Sequence, residues 1–276
     1  MTEFDVEVVF EVALKAVKDA GEIIKEAFYK KKSVLTKSCD VDLVTETDQA
    51  VEKMLIGRIK ENFPSHMFIG EESVAAGEKC DLTNDPTWIV DPVDGTMNFV
   101  HSFPHSCIAL AVMYHKDVHI GIIYNPILEQ MYTAKCNQGA FLNDKPVYTV
   151  FIFFQDLSKS LVIAEFGTNR DTQKMESVLK NVSALMNKVH GLRAMGSAAL
   201  NMASVAAGGA DCYFEFGIHV WDIAAGALII KEAGGVCLDT EGGPLDLMSR
   251  RMICASSEKL ALQIIPLLDQ LKLERD

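Results

Sequence analysis

Residues 88–99 read WIVDPVDGTMNF, and this stretch decides the reading of the chain. The apolar run Trp88-Ile89-Val90 has the look of a buried strand, and it delivers Asp91, with Asp94 three residues on and Gly95-Thr96 behind it. Taken alone, Asp91-Pro92-Val93-Asp94-Gly95 is an ordinary turn, because Asp, Pro and Gly are turn formers. An apolar strand that delivers a carboxylate into such a turn is less ordinary. Two carboxylates held so close repel each other unless a cation sits between them. Pro92 stiffens the turn and can aim the Val93 carbonyl at the same place. Gly95-Thr96 then opens a short helix, Thr96 to about Val100, whose free backbone N–H groups suit phosphate oxygens.

Outward toward the N-terminus, a short strand at Met67-Phe68-Ile69 ends at Gly70-Glu71-Glu72-Ser73, with a polar loop over 75–86. Before it, Thr45 with Asp48 three residues later is a capping box for a helix. Its apolar stripe is Val51, Leu55 and Ile59, and Pro64 closes it. Residues 5 to about 30 carry Val6, Val9, Phe10, Ala13, Val17, Ile24 and Phe28 at helical spacing. The basic run Lys30-Lys31-Lys32 follows, where cations complement a helix dipole. The segment KSVLTKSCDVDLVTETD between these two helices reads as a polar loop.

Toward the C-terminus, residues 106–142 read as a β-meander, with a turn at Lys116-Asp117. The style then changes to alternation: a strand over 161–166, a helix near 171–188, and a strand about Arg193. A small-residue helix near 197–207, a strand over 212–216 and an apolar helix from Asp222 to Ala233, stopped by Gly234-Gly235, come next. VCLD, MICAS and a final helix end the chain. The expected class is α/β (α+β). The chain 1–276 reads as one layered domain in two approximate halves, helices on an antiparallel sheet over 1–145 and a mixed, covered sheet over 146–276.

Composition narrows the function. Net charge is -12 over 276 residues and there is no basic stripe, which opposes nucleic-acid binding. No apolar run approaches the roughly 20 residues that span a bilayer. The N-terminus MTEFDVEVVFEV is acidic and has no signal-peptide pattern. Seven scattered cysteines without a C-x-x-C pair argue against a disulfide framework and a thiolate zinc site, so reduced thiols and a cytoplasmic protein are expected. His101 and His105 are four apart, but Pro104 interrupts any helix there, so a His-based metal site is not expected.

Three acidic sites far apart in sequence therefore stand at element ends: Glu71, the Asp91/Asp94 pair, and Asp222. Each has a plain reading by itself. Asp222 is a helix N-cap, and Glu71-Glu72 a solvated turn. Jointly they form a site for hard divalent cations, which take carboxylate oxygens, backbone carbonyls and water. Two cations held this way clamp the entering and leaving oxygens of a phosphoryl displacement, with Asp48 or Glu71 placed to orient a water beside Thr96.

With these residues in view, GEES at 70–73, WIVDPVDGTMNF at 88–99 and WDIAAGALIIKEAGG at 221–235 closely resemble the inositol monophosphatase family of magnesium-dependent, lithium-sensitive sugar phosphatases. VDLVTETD at 41–48, VHGLRAMGSAALNM at 189–202, GGADCYFEFGIHVWD at 208–222 and GGPLDLMSRR at 242–251 extend the likeness over nearly the whole chain. The resemblance implies a layered α-β-α-β-α sandwich and a homodimer. It implies hydrolysis of inositol monophosphates, with Glu71, Asp91, Asp94, Asp222 and the Val93 carbonyl as ligands of two to three Mg2+ and with inhibition by Li+. By the same resemblance, Thr96 paired with Asp48 is expected to activate the attacking water alongside Glu71, and the Gly95 and Thr96 amides to hold the phosphate. Asp94 and Asp222 are expected to face the substrate too. The resemblance further implies that Glu215 reads the inositol hydroxyls, that Gly196, Ser197 and Ala198 contact the ring, and that Thr168 lies near it.

Two departures stand out. Met97 replaces a threonine that the family usually carries, removing a hydroxyl near the metals. YTVFIFF at 148–154 is apolar where the family has a polar loop; it reads as a strand with one buried face or as a contact with a partner. Competing readings are a relative acting on a galactose or nucleotide phosphate, a non-catalytic metal-binding scaffold, and a two-metal nuclease, which the acidic surface opposes.

Overall fold

The structure is a computed structural model that describes residues 4–37, 43–149 and 156–276. Most of YTVFIFF, and with it the strand or partner contact expected there, lies outside the described residues. Tyr148 and Thr149 are described: Tyr148 is exposed, and Thr149 is buried with its amide on the Ala233 carbonyl.

Helix α1 (Val6–Phe28) starts at an Asp5 cap, whose carboxylate accepts from the Glu7 and Val8 amides. Strands β1 (Val34–Thr36) and β2 (Leu43–Thr45) form an antiparallel pair where a loop was expected. All of β1 is exposed, so no apolar alternation marks it in the sequence. Helix α2 (Glu46–Asn62) has the Thr45/Asp48 capping box read from the sequence. Strand β3 (Met67–Gly70) runs into a short helix α3 (Glu71–Ala75), so Glu71 opens a helix as well as following a strand. Strand β4 (Thr87–Asp94) and helix α4 (Thr96–Val100) follow.

The meander is β5 (Cys107–Tyr114), β6 (Asp117–Asn125), β7 (Gln130–Lys135), β8 (Ala140–Leu142) and β9 (Lys145–Val147). Its first turn lies one residue earlier than expected, at His115-Lys116, both with positive φ (52° and 65°) as a tight hairpin requires. The chain continues through β10 (Leu161–Ala164), α5 (Thr172–Met186), β11 (Gly191–Arg193), α6 (Ala198–Ala206) and β12 (Cys212–Phe216). Helix α7 (Val220–Glu232), β13 (Val236–Leu238), β14 (Arg251–Ala255) and α8 (Glu258–Ile264) complete it. Helix α7 begins two residues before the expected Asp222, so Asp222 is not the N-cap; His219 is.

Strands β3 to β9 form a seven-stranded sheet in sequence order. The sheet is antiparallel except that β3 and β4 pair in parallel, which corrects the wholly antiparallel expectation. Strand β9 straddles the expected boundary at 145/146. A five-stranded sheet, ordered β11-β10-β12-β14-β13, is mixed as expected.

The layers follow from which faces are apolar. Val9, Ala13, Val17 and Ile24 of α1 and Val51, Leu55 and Ile59 of α2 pack on Trp88, Val90, Ile108, Leu110 and Ile122. The opposite face of that sheet, with Ile89, Ala109, Ala111 and Ile123, packs on Ala199, Met202, Ile223, Ala224 and Leu228 of α6 and α7. Tyr213, Met252 and Cys254 of the second sheet cover the far side of that helix pair. Leu185, Leu260 and Ile264 of α5 and α8 close the last face. The order is helix, sheet, helix, sheet, helix. Strand β4 is buried at every residue because it has a helix layer on each side, which is why its apolar residues run without alternation.

Candidate active site

A strand points successive side chains to opposite faces, so residues three apart diverge. Strand β4 escapes this rule by a bulge: Asp91 pairs with Ala109 but Asp94 with Cys107, three residues against two. Pro92 has no N–H for the ladder and sits inside that irregularity. The bulge turns Asp94 back toward Asp91, and the Val93 amide donates to Asp91 Oδ1 at 3.0 Å.

Asp222 arrives from the second half. It is the third residue of α7, and its Oδ2 accepts from the His219 amide at 2.6 Å. Ligand oxygens of Asp91, Asp94 and Asp222 all lie within 4.8 Å of one another. At that spacing each ionised pair repels by roughly 3 kcal/mol at an effective dielectric of about 20. Among the described residues no lysine or arginine pairs with any of the three. Burial, with the neighbouring carboxylates, therefore pushes the Asp91 and Asp222 carboxyls well above the usual range. Asp94 is raised to about 6, mainly by burial, against the pull of Ser197 and the α6 amides. Three hard oxygen donors at this spacing fit a divalent cation such as magnesium.

Glu71 belongs to the same field, raising Asp91 through its charge, but it has a cation of its own. Lys37 Nζ lies 2.7 Å from Glu71 Oε1 and 2.6 Å from Glu72 Oε1. Glu52, buried on α2, takes the Glu72 and Ser73 amides at 2.8 Å each and so fixes the turn that carries Glu71. Neither Lys37 nor Glu52 was singled out from the sequence. Glu52 had a signal: it lies four residues after Asp48, between the apolar Val51 and Leu55 of the buried face. Lys37 had none, since it lies in a non-periodic segment.

Asp48 is fully buried and takes the Thr45 hydroxyl and amide on Oδ2. The Thr96 hydroxyl lies 3.0 Å from Asp48 Oδ1 and 3.0 Å from the Val93 carbonyl, and its single proton serves one of them at a time. Burial raises the Asp48 carboxyl, leaving it a better proton acceptor than a surface aspartate. Gly95 caps α4 with φ 85°, and a side chain there would meet the Gly196 carbonyl at 2.9 Å. Met97 is half-buried on α4.

The loop at 195–199 is pinned from two sides. Asp94 accepts from the Ser197 hydroxyl at 2.5 Å and from the Ala199 and Ala198 amides at 2.7 and 3.2 Å, the first free amides of α6. Glu165 takes the Met195 and Gly196 amides and the Asn201 side chain. The Gly196 and Ala198 amides are thus committed to carboxylates. Asn98 holds the Met195 carbonyl at 2.8 Å. Glu215 stands at the far end, on β12, 7% exposed, accepting from the Tyr213 hydroxyl at 2.5 Å. Burial and the Glu165 charge raise its carboxyl to about 8. Thr168 is exposed and adjoins Gly167, which borders Glu215.

A layered sandwich whose strand and helix ends converge a carboxylate triad, two of its members buried, beside a threonine–aspartate pair defines a class. The chain belongs to the inositol monophosphatase family, whose model matches residues 5–273. Human inositol monophosphatase 1 is 48% identical over 265 residues, 96% of this chain and 95% of that protein. The bovine protein of the same name is 48% identical over 258 residues, 93% and 92% of the two chains. In structure, the extragenic suppressor protein SuhB of Bartonella henselae matches with a TM-score of 0.84 at 28% identity, covering 95% of this chain and 99% of its own.

Proposed function

We propose that this protein is a magnesium-dependent phosphomonoesterase that hydrolyses myo-inositol monophosphates to inositol and phosphate. Family membership and 48% identity to inositol monophosphatase 1 support the reaction. The single structural observation that carries it is the aspartate triad gathered within 4.8 Å, with which no described lysine or arginine pairs.

Asp91, Asp94, Asp222, Glu71 and the Val93 carbonyl would hold the magnesium ions. Bound there, magnesium supplies Lewis acidity toward the phosphate and charge compensation for both oxygens of the displacement. The chain's own groups do the rest. Glu71 and the Thr96 hydroxyl orient the attacking water, and its proton passes through Thr96 Oγ1 toward Asp48 Oδ1, 3.0 Å away. The Gly95 and Thr96 amides at the start of α4 receive phosphate oxygens. Pinning of the 195–199 loop by Asp94 and Glu165 fixes the wall on which Gly196, Ser197 and Ala198 meet the ring, with Thr168 at its edge. Glu215 accepts hydrogen bonds from ring hydroxyls.

Two to three magnesium ions per site, inhibition by lithium, a homodimeric assembly and a cytoplasmic location complete the proposal. Six described cysteines are free, which suits a reducing compartment. No helix among the described residues is long and apolar enough to cross a membrane. The test is phosphate release from myo-inositol 1-phosphate with and without magnesium, alongside Asp91→Asn. Magnesium-dependent release that collapses in the variant is expected. Release that is indifferent to both would overturn the assignment.

A further inference from the structure

A second charged group sits at the substrate end, and the function proposed above does not use it. Lys174 is the third residue of α5, its amide donating to the Asp171 cap at 2.8 Å. Its side chain turns inward and is 4% exposed. Two glycines make the slot that admits it. Gly167 and Gly217 both have positive φ, 63° and 89°, and a Cβ on them would stand 2.4 and 2.8 Å from Lys174 Nζ. The same Gly167 position is 3.4 Å from Glu215 Oε1, so the ammonium and the carboxylate flank one point.

They nevertheless do not pair. No carboxylate among the described residues makes an ion pair with Lys174, and none of its described hydrogen bonds is donated by the ammonium. Burial lowers the Lys174 ammonium while the Glu215 charge raises it, so the two groups feel each other across a gap. A buried cation left beside, but short of, its counter-charge is costly, and such a gap is suited to an inserted polar group.

We propose that Lys174 is a specificity-determining residue: with Glu215 it forms a donor–acceptor pair that brackets one ring hydroxyl of a polyol phosphate, which accepts from the ammonium and donates to the carboxylate. A hydroxyl satisfies both groups at once. An anionic substituent would gain Lys174 but meet Glu215 and Glu165. The bracket selects substrates with a hydroxyl far from the scissile phosphate. This inference rests on the inositol phosphate reading of the same site.

The test compares the unaltered protein with Lys174→Met, which keeps length and removes charge and donors. The substrates are myo-inositol 1-phosphate, its monodeoxy analogues and phenyl phosphate, all with magnesium. Loss of a charge-assisted hydrogen bond predicts a KM for inositol phosphate raised about 10- to 100-fold with kcat held, and phenyl phosphate unaffected. One deoxy analogue should be indifferent to the substitution, which identifies the hydroxyl. The melting temperature should hold or rise, since an unpaired buried cation has gone.

Equal losses on both substrates, or a lower melting temperature with no selective KM effect, mark a packing role and overturn the proposal. So does a loss confined to substrates bearing a second anionic group. If Lys174→Met does not fold, Lys174→Gln and the deoxy series carry the test. A series in which no deoxy position raises the KM of the unaltered protein overturns it. Phenyl phosphate turnover without inositol phosphate turnover sinks the substrate reading and this inference together; unchanged inositol phosphate kinetics in the variant sink only the inference.

Discussion

The two ends of the site handle buried carboxylates in opposite ways. At the β4 end, Asp91, Asp94 and Asp222 crowd within 4.8 Å, and no described lysine or arginine pairs with them. At the β12 end, Glu215 has Lys174 across a gap that two glycines keep open. Both ends raise their carboxyls, Asp94 to about 6 and Glu215 to about 8. The difference lies in the missing partner. Crowded carboxylates without a chain cation call for a metal ion; a carboxylate already facing an ammonium calls for a neutral group that can donate and accept.

The largest effect expected is at the first end. Asp94→Asn should lower magnesium affinity and turnover together, by more than the 10- to 100-fold that loss of an outer partner costs. Titration of magnesium against activity checks it, and an unchanged magnesium dependence would break the contrast. Next, Glu215→Gln should raise the KM for inositol phosphate about 10- to 100-fold while sparing phenyl phosphate, because an amide nitrogen replaces one of the oxygens that accept from the ring. Equal losses on both substrates would place Glu215 with the metal end instead.

A smaller effect sharpens the division. The Ser197 hydroxyl both donates to Asp94 and caps α6. Ser197→Ala should weaken magnesium binding about tenfold and cost about 1 kcal/mol of stability, read by calorimetry with and without the metal. The smallest effect is in pH. Asp94 binds its proton more tightly folded than unfolded, from the ordinary 3.8 up to about 6. In metal-free protein its contribution is present below the lower value and is lost as pH rises through the upper one. The melting temperature of chelated protein should therefore fall by a few degrees from pH 4 to pH 6, and magnesium should restore most at the top of that window. A flat profile would show that the triad is neutralised from within.

Much of this was legible in the residues. The capping box at Thr45, the strand that delivers Asp91 and the covered second sheet follow from period and turn chemistry, and strand β12 was placed at its observed limits. The bulge was not legible, because nothing in Asp91-Pro92-Val93-Asp94 says that the ladder slips there rather than turning. Strands β1 and β2 were missed because β1 is wholly exposed and carries no alternation. The parallel pairing of β3 with β4 depends on a distant partner, which spacing does not report. Lys174 lies four residues before the buried Val178 on the same helix face, a spacing that turns the lysine inward.

The shared helix layer carries a consequence for synthesis. Strands β3 to β9 end at Val147, but α7, which covers one face of their sheet, ends at Glu232. At 5–20 residues per second a ribosome needs about 4–17 s to make the difference. Through that interval Ile89, Ala109, Ala111 and Ile123 have no cover from their own chain. The nascent first sheet thus presents an apolar face until α7 is made, and slow codons between 148 and 232 should lower the soluble yield of a protein whose finished form hides that face.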